Sequence, residues 1–435
     1  MKGKSLDKEE ERIGTMYFRL FLSGLGKLWQ RLFGREFSRT GAPVVLVAVL
    51  LLLAPAVVWT LHVRGRFSKV KENIKQHVVP GAGLGKPSGL PGGIEAMVLK
   101  RSQPPSGNEP EFVSTTLFPG QGMRVFQITA NLPGYGDLDL MDTASLKALT
   151  EGPLPAPHGS NSDYGALELP WGGGMSGVGT PFGTSIRAMW RGRSIEEPTD
   201  TSSNTMIAEG GNLRGTPADD HGISPNATGS RGNAMFRDLN WDDRWPSKTD
   251  VSVEIQLAPR TLDLTILARN SGDAPEPLGI GWNPRFTTSG DQQRIELKLP
   301  GGDVMEIDPS RMTPTGNVAH ELSGIDHFRS GGALGSQGFD AAFFHLKPGI
   351  GESQPAVEIR NPVLGYGLRM TALSPTIREI RVSSPASYGY VALGFQTNFD
   401  DPFGKEWNDQ GITVLEPGQL LEWKVRLEIF AVPKQ

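Results

Sequence analysis

Two periods of apolar residues divide the chain. Before about residue 63 they follow a helix; after about residue 111 they alternate like a strand. From Pro43 to Leu61 nineteen consecutive residues carry no charge. At 1.5 Å per residue the run spans ~28 Å, close to the ~30 Å hydrocarbon core of a bilayer. Basic residues flank both ends, and Trp59 stands near one boundary, where interfacial aromatics collect. The pattern predicts one transmembrane helix over 42–63, with Pro55 tolerable inside it. A cleaved leader fits poorly, since about forty residues precede the run, the run is long for a leader, and the Ala54-Pro55-Ala56 step lies inside it, where a cleavage site should not. Upstream, residues 16–34 put Phe18, Leu22, Leu25, Trp29 and Leu32 on one helical face, with Arg19, Lys27 and Arg31 on or near the other. This reads as a basic amphipathic helix on the membrane surface within a cytoplasmic segment 1–41. An ordinary helix docked on a protein partner is the alternative.

Residues 64–110 are polar and basic, then rich in Gly, Pro and Ser, and read as a linker. Its GAGLGKPS run has Pro87 where a phosphate-binding loop needs Ser or Thr, and lacks a strand before it, so it is discarded as such a loop. Beyond it, Val251, Val253, Ile255 and Leu257 alternate with polar residues. A turn at Ala258-Pro259 follows, and then Leu262, Leu264, Ile266 and Ala268 alternate in the same way. That is a β-hairpin with one buried face. Similar runs occupy 124–129, 294–299, 377–382, 388–395 and 420–430. Residues 111–435 therefore read as one large, mainly β domain, an antiparallel β-sandwich. The stretch 197–235 is polar and reads as a strand-poor insertion.

Composition narrows the function. The 55 Gly and 34 Pro make up about a fifth of 435 residues, against roughly 12% in average proteins, which favours a turn-rich β chain. Forty-three basic against 47 acidic residues argues against nucleic acid as a partner. With no Cys, there is no disulfide, thiolate metal site or Cys nucleophile. The seven His show no metal-ligand spacing, and two of them, His62 and His77, flank the membrane run. Neither HExxH nor GxSxG occurs. No metal or cofactor is expected. The basic residues on the two sides of the span nearly balance. A large polar domain after an N-terminal anchor is then best placed outside a bacterial-type inner (plasma) membrane, on the periplasmic side.

Six blocks carry a family resemblance: LGIGWNPRF at 278–286, TPTG at 313–316, GFDAAF at 338–343, PVLGYGLRM at 362–370, VALGFQTNFDDP at 391–402 and ITVLEPGQLLEWKVRL at 412–427. In this order the chain resembles the aldose 1-epimerase (galactose mutarotase) family over roughly residues 111–430, most firmly after 235. The resemblance implies a galactose mutarotase-like β-supersandwich with an open carbohydrate cleft. It also implies interconversion of α and β anomers, in which a Glu takes the proton of the anomeric hydroxyl and a His protonates the ring oxygen. Such chemistry needs two groups of opposed protonation state within hydrogen-bond reach of the sugar.

The departures fall on the chemistry. Where the family has Gly-Trp-His-Pro-Tyr-Phe, this chain has Asn283 for the His and Arg285 for the Tyr. The family Glu, about two residues before Gln396-Thr397, falls at Gly394 or Phe395. Leu-His-Gly becomes Leu213-Arg214-Gly215, and an Asn-Arg pair falls at Gly173-Gly174. Asn cannot serve as a general acid near neutral pH. Asp340, Trp282 and Gln396 match the family pattern. The expected sugar-binding set is Asp340, Arg214, Trp282, Asn283, Arg285 and Gln396, with the two Arg favouring acidic sugars. His221 and Asp220, beside Asp219, are the residues that could replace the lost acid and base. Two readings lead: a membrane-anchored, mutarotase-like carbohydrate binder, and an isomerase with relocated acid and base. A scaffold subunit of an envelope glycan machine and a lyase or hydrolase on the same sandwich stand behind them.

Overall fold

The hairpin read from the alternation forms as Thr249–Leu257 against Thr261–Asn270, in the register Val253↔Ile266 and Ile255↔Leu264. Ala258 N–H closes its turn on the carbonyl of Thr261 at 2.8 Å. The structure, a computed structural model, describes residues 90–142, 165–180, 185–199, 207–288, 292–308, 313–320, 324–336, 338–386 and 388–434. The helices read at 16–34 and 42–63, and the linker before residue 90, lie outside the described residues. Among the described residues no helix is long and apolar enough to cross a membrane.

Two large antiparallel sheets dominate. The nine-stranded one runs Asp220–Pro225, Ser230–Leu239, Thr249–Leu257, Thr261–Asn270, Leu420–Ala431, Tyr366–Ala372, Ala356–Asn361, Glu296–Lys298 and Gly332–Ala333. The eight-stranded one runs Thr313–Val318, Gly301–Asp308, Phe339–Lys347, Glu379–Ser384, Tyr390–Gln396, Gly281–Trp282 and Leu167–Glu168, with Arg285–Thr287 also paired to Tyr390–Gln396. The closing strand alternates strictly: Leu421, Trp423, Val425, Leu427 and Ile429 are all buried. They belong to the same hydrophobic cluster as Ile380, Val382, Val391, Leu393 and Phe395 of the other sheet. Trp423 ties the two sheets directly, its Nε1 donating to the Phe395 carbonyl at 3.0 Å.

Two sequence readings change. The stretch 197–235, read as strand-poor, supplies the edge strand Asp220–Pro225 and most of its neighbour Ser230–Leu239. The core face of Ser230–Leu239 includes Gly232, where a Cβ would stand 3.0 Å from Leu117 Cδ1. The position must be small, so counting apolar residues misses the strand. The last part of the stretch read as linker also folds. Met97–Lys100 pairs with Glu111–Phe118, which begins a four-stranded sheet continued by Arg124–Leu132 and Gly136–Asp139.

Trp423→Ala should lower the unfolding free energy by about 3–5 kcal/mol, combining lost burial with a cavity. Trp423→Phe should cost much less, near the ~1 kcal/mol of one hydrogen bond plus a small packing loss. Urea unfolding followed by circular dichroism is the check. Equal losses for the two variants would contradict the bridging role.

Candidate functional site

The strand Tyr390–Gln396 is buried along its whole length. Its odd positions, Val391, Leu393 and Phe395, lie in the shared core. Its even positions, Tyr390, Ala392, Gly394 and Gln396, line a cleft of ≈ 220 Å³ on the other face. The period of two along a strand forces this split. Register then decides which neighbours join. Ser383, Arg381 and Glu379 sit opposite Ala392, Gly394 and Gln396, and Arg285 sits on the other side of Ala392. One strand further out, Asp340 is opposite Ser383. Gly281 lies between Gln396 and Glu168. A second hollow of ≈ 180 Å³ is also lined by Gly174, Glu209, Arg381 and Asp400, so the two run together.

Arg381 organises the floor. Its Nε and Nη2 donate to the two oxygens of Asp340 at 3.0 and 2.8 Å, and its Nη1 donates to Asp400 at 2.6 Å. The negative charge of Asp400 holds the guanidinium firmly protonated. Gln396 Nε2 donates to Asp400 at 3.2 Å and to Glu379 at 2.9 Å. The other oxygen of Glu379 accepts the Asp400 backbone N–H at 2.8 Å. Glu379 has no solvent exposure. Burial first, and then the nearby Asp400 charge, push its carboxyl well above the usual carboxylate range, so it is neutral where Asp and Glu at the surface are ionised.

The near wall is the loop at 172–174. Asn398 clamps it, accepting from Gly172 N–H and donating to Gly172 O, each at 2.8 Å. Glu168 accepts Gly173 N–H at 2.9 Å. Gly173 has φ +68°, and a Cβ there would stand 2.1 Å from Asp400 Oδ1. The Asp400 carboxylate thus fills the space that a side chain at 173 would need. Behind the wall, Glu197 is raised to about 7 by burial, against the opposing effects of Arg244, Asn212 and Arg214. Asn212 donates to it at 3.0 Å, and Arg244 also donates to it. Those contacts fix the turn Leu213–Gly215.

Several predicted site residues converge here and others do not. Asn283, Arg285, Gly394 and Gln396 line the cleft. Asp340 reaches its edge through Arg381. Asn283 Oδ1 is buried without a hydrogen-bond partner, and a Cβ at Gly394 would lie 3.7 Å from it. Trp282 must be reassigned. It is fully buried on the core face and its Nε1 donates to Gly165 O at 3.3 Å, so it offers no ring to a ligand. Phe395 faces the core as well. Arg214 is 4% exposed and stands behind Gly210, its Nη1 3.0 Å from the place of a Cβ there. His221 and Asp220 do not line the cleft. They are exposed on the edge strand Asp220–Pro225 of the nine-stranded sheet. Residues not singled out from the sequence supply most of the polar lining: Glu168, Glu209, Arg381, Ser383, Tyr390 and Asp400. Among the described residues no cluster of His, Asp or Glu has the form of a metal site.

No protein-family model matches the sequence, and no curated protein matches it. Solved structures do match in three dimensions. A galactose mutarotase-like protein from Clostridium acetobutylicum superposes with a TM-score of 0.62 at 13% identity, over 77% of this chain and 98% of its own. The fold is that of the galactose mutarotase-like proteins. An aldose epimerase homologue from C. elegans (TM-score 0.57, 14% identity, 77% of this chain and 99% of its own) agrees. So does a galactose 1-epimerase from Lactobacillus acidophilus NCFM (TM-score 0.55, 12% identity, 78% and 99%). Within this mutarotase-like fold, Asn283 and Gly394 face each other; the sequence resemblance puts the acid at Asn283 and the base at Gly394 or Phe395.

Replacing Glu379 tests the floor. Glu379→Gln keeps the shape of the neutral acid, whereas Glu379→Ala leaves the Asp400 N–H and the Gln396 amide without an acceptor. The alanine variant should lose about 2–4 kcal/mol of stability. A raised carboxyl stabilises fully below its unfolded value near 4.5 and loses that contribution as pH climbs through the folded value. The wild type should therefore lose ground relative to Glu379→Gln as pH rises from 4 to 8, whatever constant offset the amide's single acceptor oxygen causes. Unfolding free energies across that range are the check.

Proposed function

We propose that this is a carbohydrate-binding protein on a galactose mutarotase-like supersandwich, which does not exchange anomers at an enzymatic rate. The observation that carries the reading is the facing pair Asn283 and Gly394 inside a polar, concave cleft. The resemblance assigns the family's proton donor to Asn283 and its acceptor to Gly394 or Phe395, of which Gly394 faces the cleft. An amide and a hydrogen atom can do neither job, while hydrogen bonding to hydroxyls survives through Asn283, Gln396, Ser383 and the carboxylates around Arg381. Fold alone does not carry an activity, so the reading rests on the site. It includes a membrane anchor at 42–63, supported by the uncharged run and its basic flanks, with the domain on the outer, periplasmic side. The amphipathic helix at 16–34 is the surface for any protein partner.

The alternative isomerase loses its first candidates, since His221 and Asp220 lie on the other sheet. What still favours it is that Glu168, Glu209 and Asp400 line the cleft. A rate measurement separates the two readings. Polarimetry on freshly dissolved α-glucose and α-galactose with the full-length protein should show mutarotation near the solvent rate, because loss of a positioned acid or base removes about 10²–10⁴ each. The double variant Asn283→His, Gly394→Glu should then gain activity. A Cβ at 394 meets nothing nearer than Arg381 Cβ at 3.5 Å, an ordinary contact, and the position opens on the cleft. An enzymatic rate in the wild type, abolished by Glu168→Gln or Asp400→Asn, would promote the isomerase.

A further inference from the structure

From the charge arrangement of the cleft, and resting on the carbohydrate reading above, we infer that it prefers sugars bearing a free, protonated amine over neutral sugars and excludes sugar acids. Four carboxylates line the joined hollows: Glu168, Glu209, Asp400 and Asp401. Two guanidinium groups oppose them, Arg285 and Arg381. Arg381 is not on offer to an anionic ligand at full strength, because Asp340 and Asp400 both hold it, one of them through two parallel hydrogen bonds. Counting Asp340, and also Arg214 with its Nη1 3.0 Å from the place of a Cβ at Gly210, the acids around the cleft still outnumber the cations, five to three. Arg285 lies with its guanidinium carbon 4.8 Å above the ring of Tyr390, at the opposite end of the strand from Gln396 and Asp400.

The consequence reverses the expectation drawn from Arg214 and Arg285 in the sequence. Arg214 is set behind Gly210, and the charge that would have attracted a uronic acid is answered by carboxylates that the sequence did not point to. A carboxylate or phosphate on the sugar would meet Glu209, Asp400 and Asp401 with like charge. An ammonium group would meet the same side chains with opposite charge, and the concave, partly enclosed walls strengthen that attraction relative to open water. An amine also donates up to three hydrogen bonds, which suits a lining rich in carboxylate acceptors.

The test uses the full-length chain in a polyoxyethylene detergent, which carries no sugar, and ligand-observed NMR titration at pH 6 and low salt. Six probes form two matched sets: glucosamine, glucose and glucuronate, and galactosamine, galactose and galacturonate. The amino sugar of at least one set should bind about tenfold more tightly than its neutral parent, with the uronate weakest. N-acetylation of the amine should remove the advantage, and 0.5 M salt should shrink it, as screening of an exposed cleft demands. Glu209→Gln, at an exposed position, should cut the amine preference roughly threefold, while Glu416→Gln on an exposed turn outside the cleft lining leaves it unchanged. A uronate binding as tightly as its amino sugar, or an amine preference untouched by Glu209→Gln, overturns the inference. Binding of neutral hexoses without charge preference sinks this inference alone. Binding of none of the six sinks the carbohydrate reading with it.

Discussion

Arg381 puts a full positive charge on a sheet whose other face is hydrocarbon. Its neighbours along the strand, Ile380 and Val382, are completely buried. A charge so placed is tolerable only when it is paired and hydrogen-bonded. That requirement brings Asp340 in from the next strand and Asp400 from the loop after Tyr390–Gln396. Asp400 in turn must be held. Glu379 accepts its backbone N–H, Gln396 donates to its side chain, and Gly173 has no Cβ to collide with it. Each later feature of the cleft, including the bare floor at Gly394 and the neutral carboxyl beneath Gln396, is compatible with that bridge. Removing Arg381 would leave the two carboxylates, Asp340 and Asp400, without their shared counter-charge, which is why the group behaves as a unit.

Under the binding reading, the site differs from a proton-transfer site in kind. Acid–base catalysis of ring opening needs one group poised to give a proton and another to take it, both in contact with the sugar. Here the strongly shifted carboxyl, Glu379, is sealed from solvent and points its oxygens at protein donors. Asp400 is committed to Arg381. A perturbed acid in a cleft is often a functional signal, but its geometry decides, and this geometry serves to hold side chains still. A rigid, polar, concave surface is what recognition of a hydroxyl-rich ligand requires.

Much of the β domain was legible in the sequence, because wherever one sheet face is buried the apolar period is two. The hairpin at 249–270 and the closing strand Leu420–Ala431 follow that rule residue by residue. Strands with small inward residues escaped it, as at Gly232, and so did the Met97–Lys100 strand behind a Pro- and Gly-rich stretch. The site was legible only where a short block carried it: Asn283, Arg285, Asp340 and Gln396 come from such blocks. Glu379, Arg381 and Ser383 did leave a trace, since they alternate with Ile380 and Val382 on a strand buried on its other face. Reading that trace as a cleft needs the register to Gly394 and Gln396, which periodicity does not give. Trp282 was misread for the same reason: adjacent residues on a strand face opposite ways, and Trp282 and Asn283 are adjacent.

The central claim is that sugar enters the cleft over Tyr390–Gln396 and nowhere else on the domain. Hydrogen exchange of the full-length protein, measured by mass spectrometry with and without a bound amino sugar, tests it most directly. The account predicts added protection in peptides covering 168–174, 379–384 and 390–401, with the edge strand Asp220–Pro225 unchanged. Protection confined to 220–225, or spread over the nine-stranded sheet with none at 390–401, would contradict it.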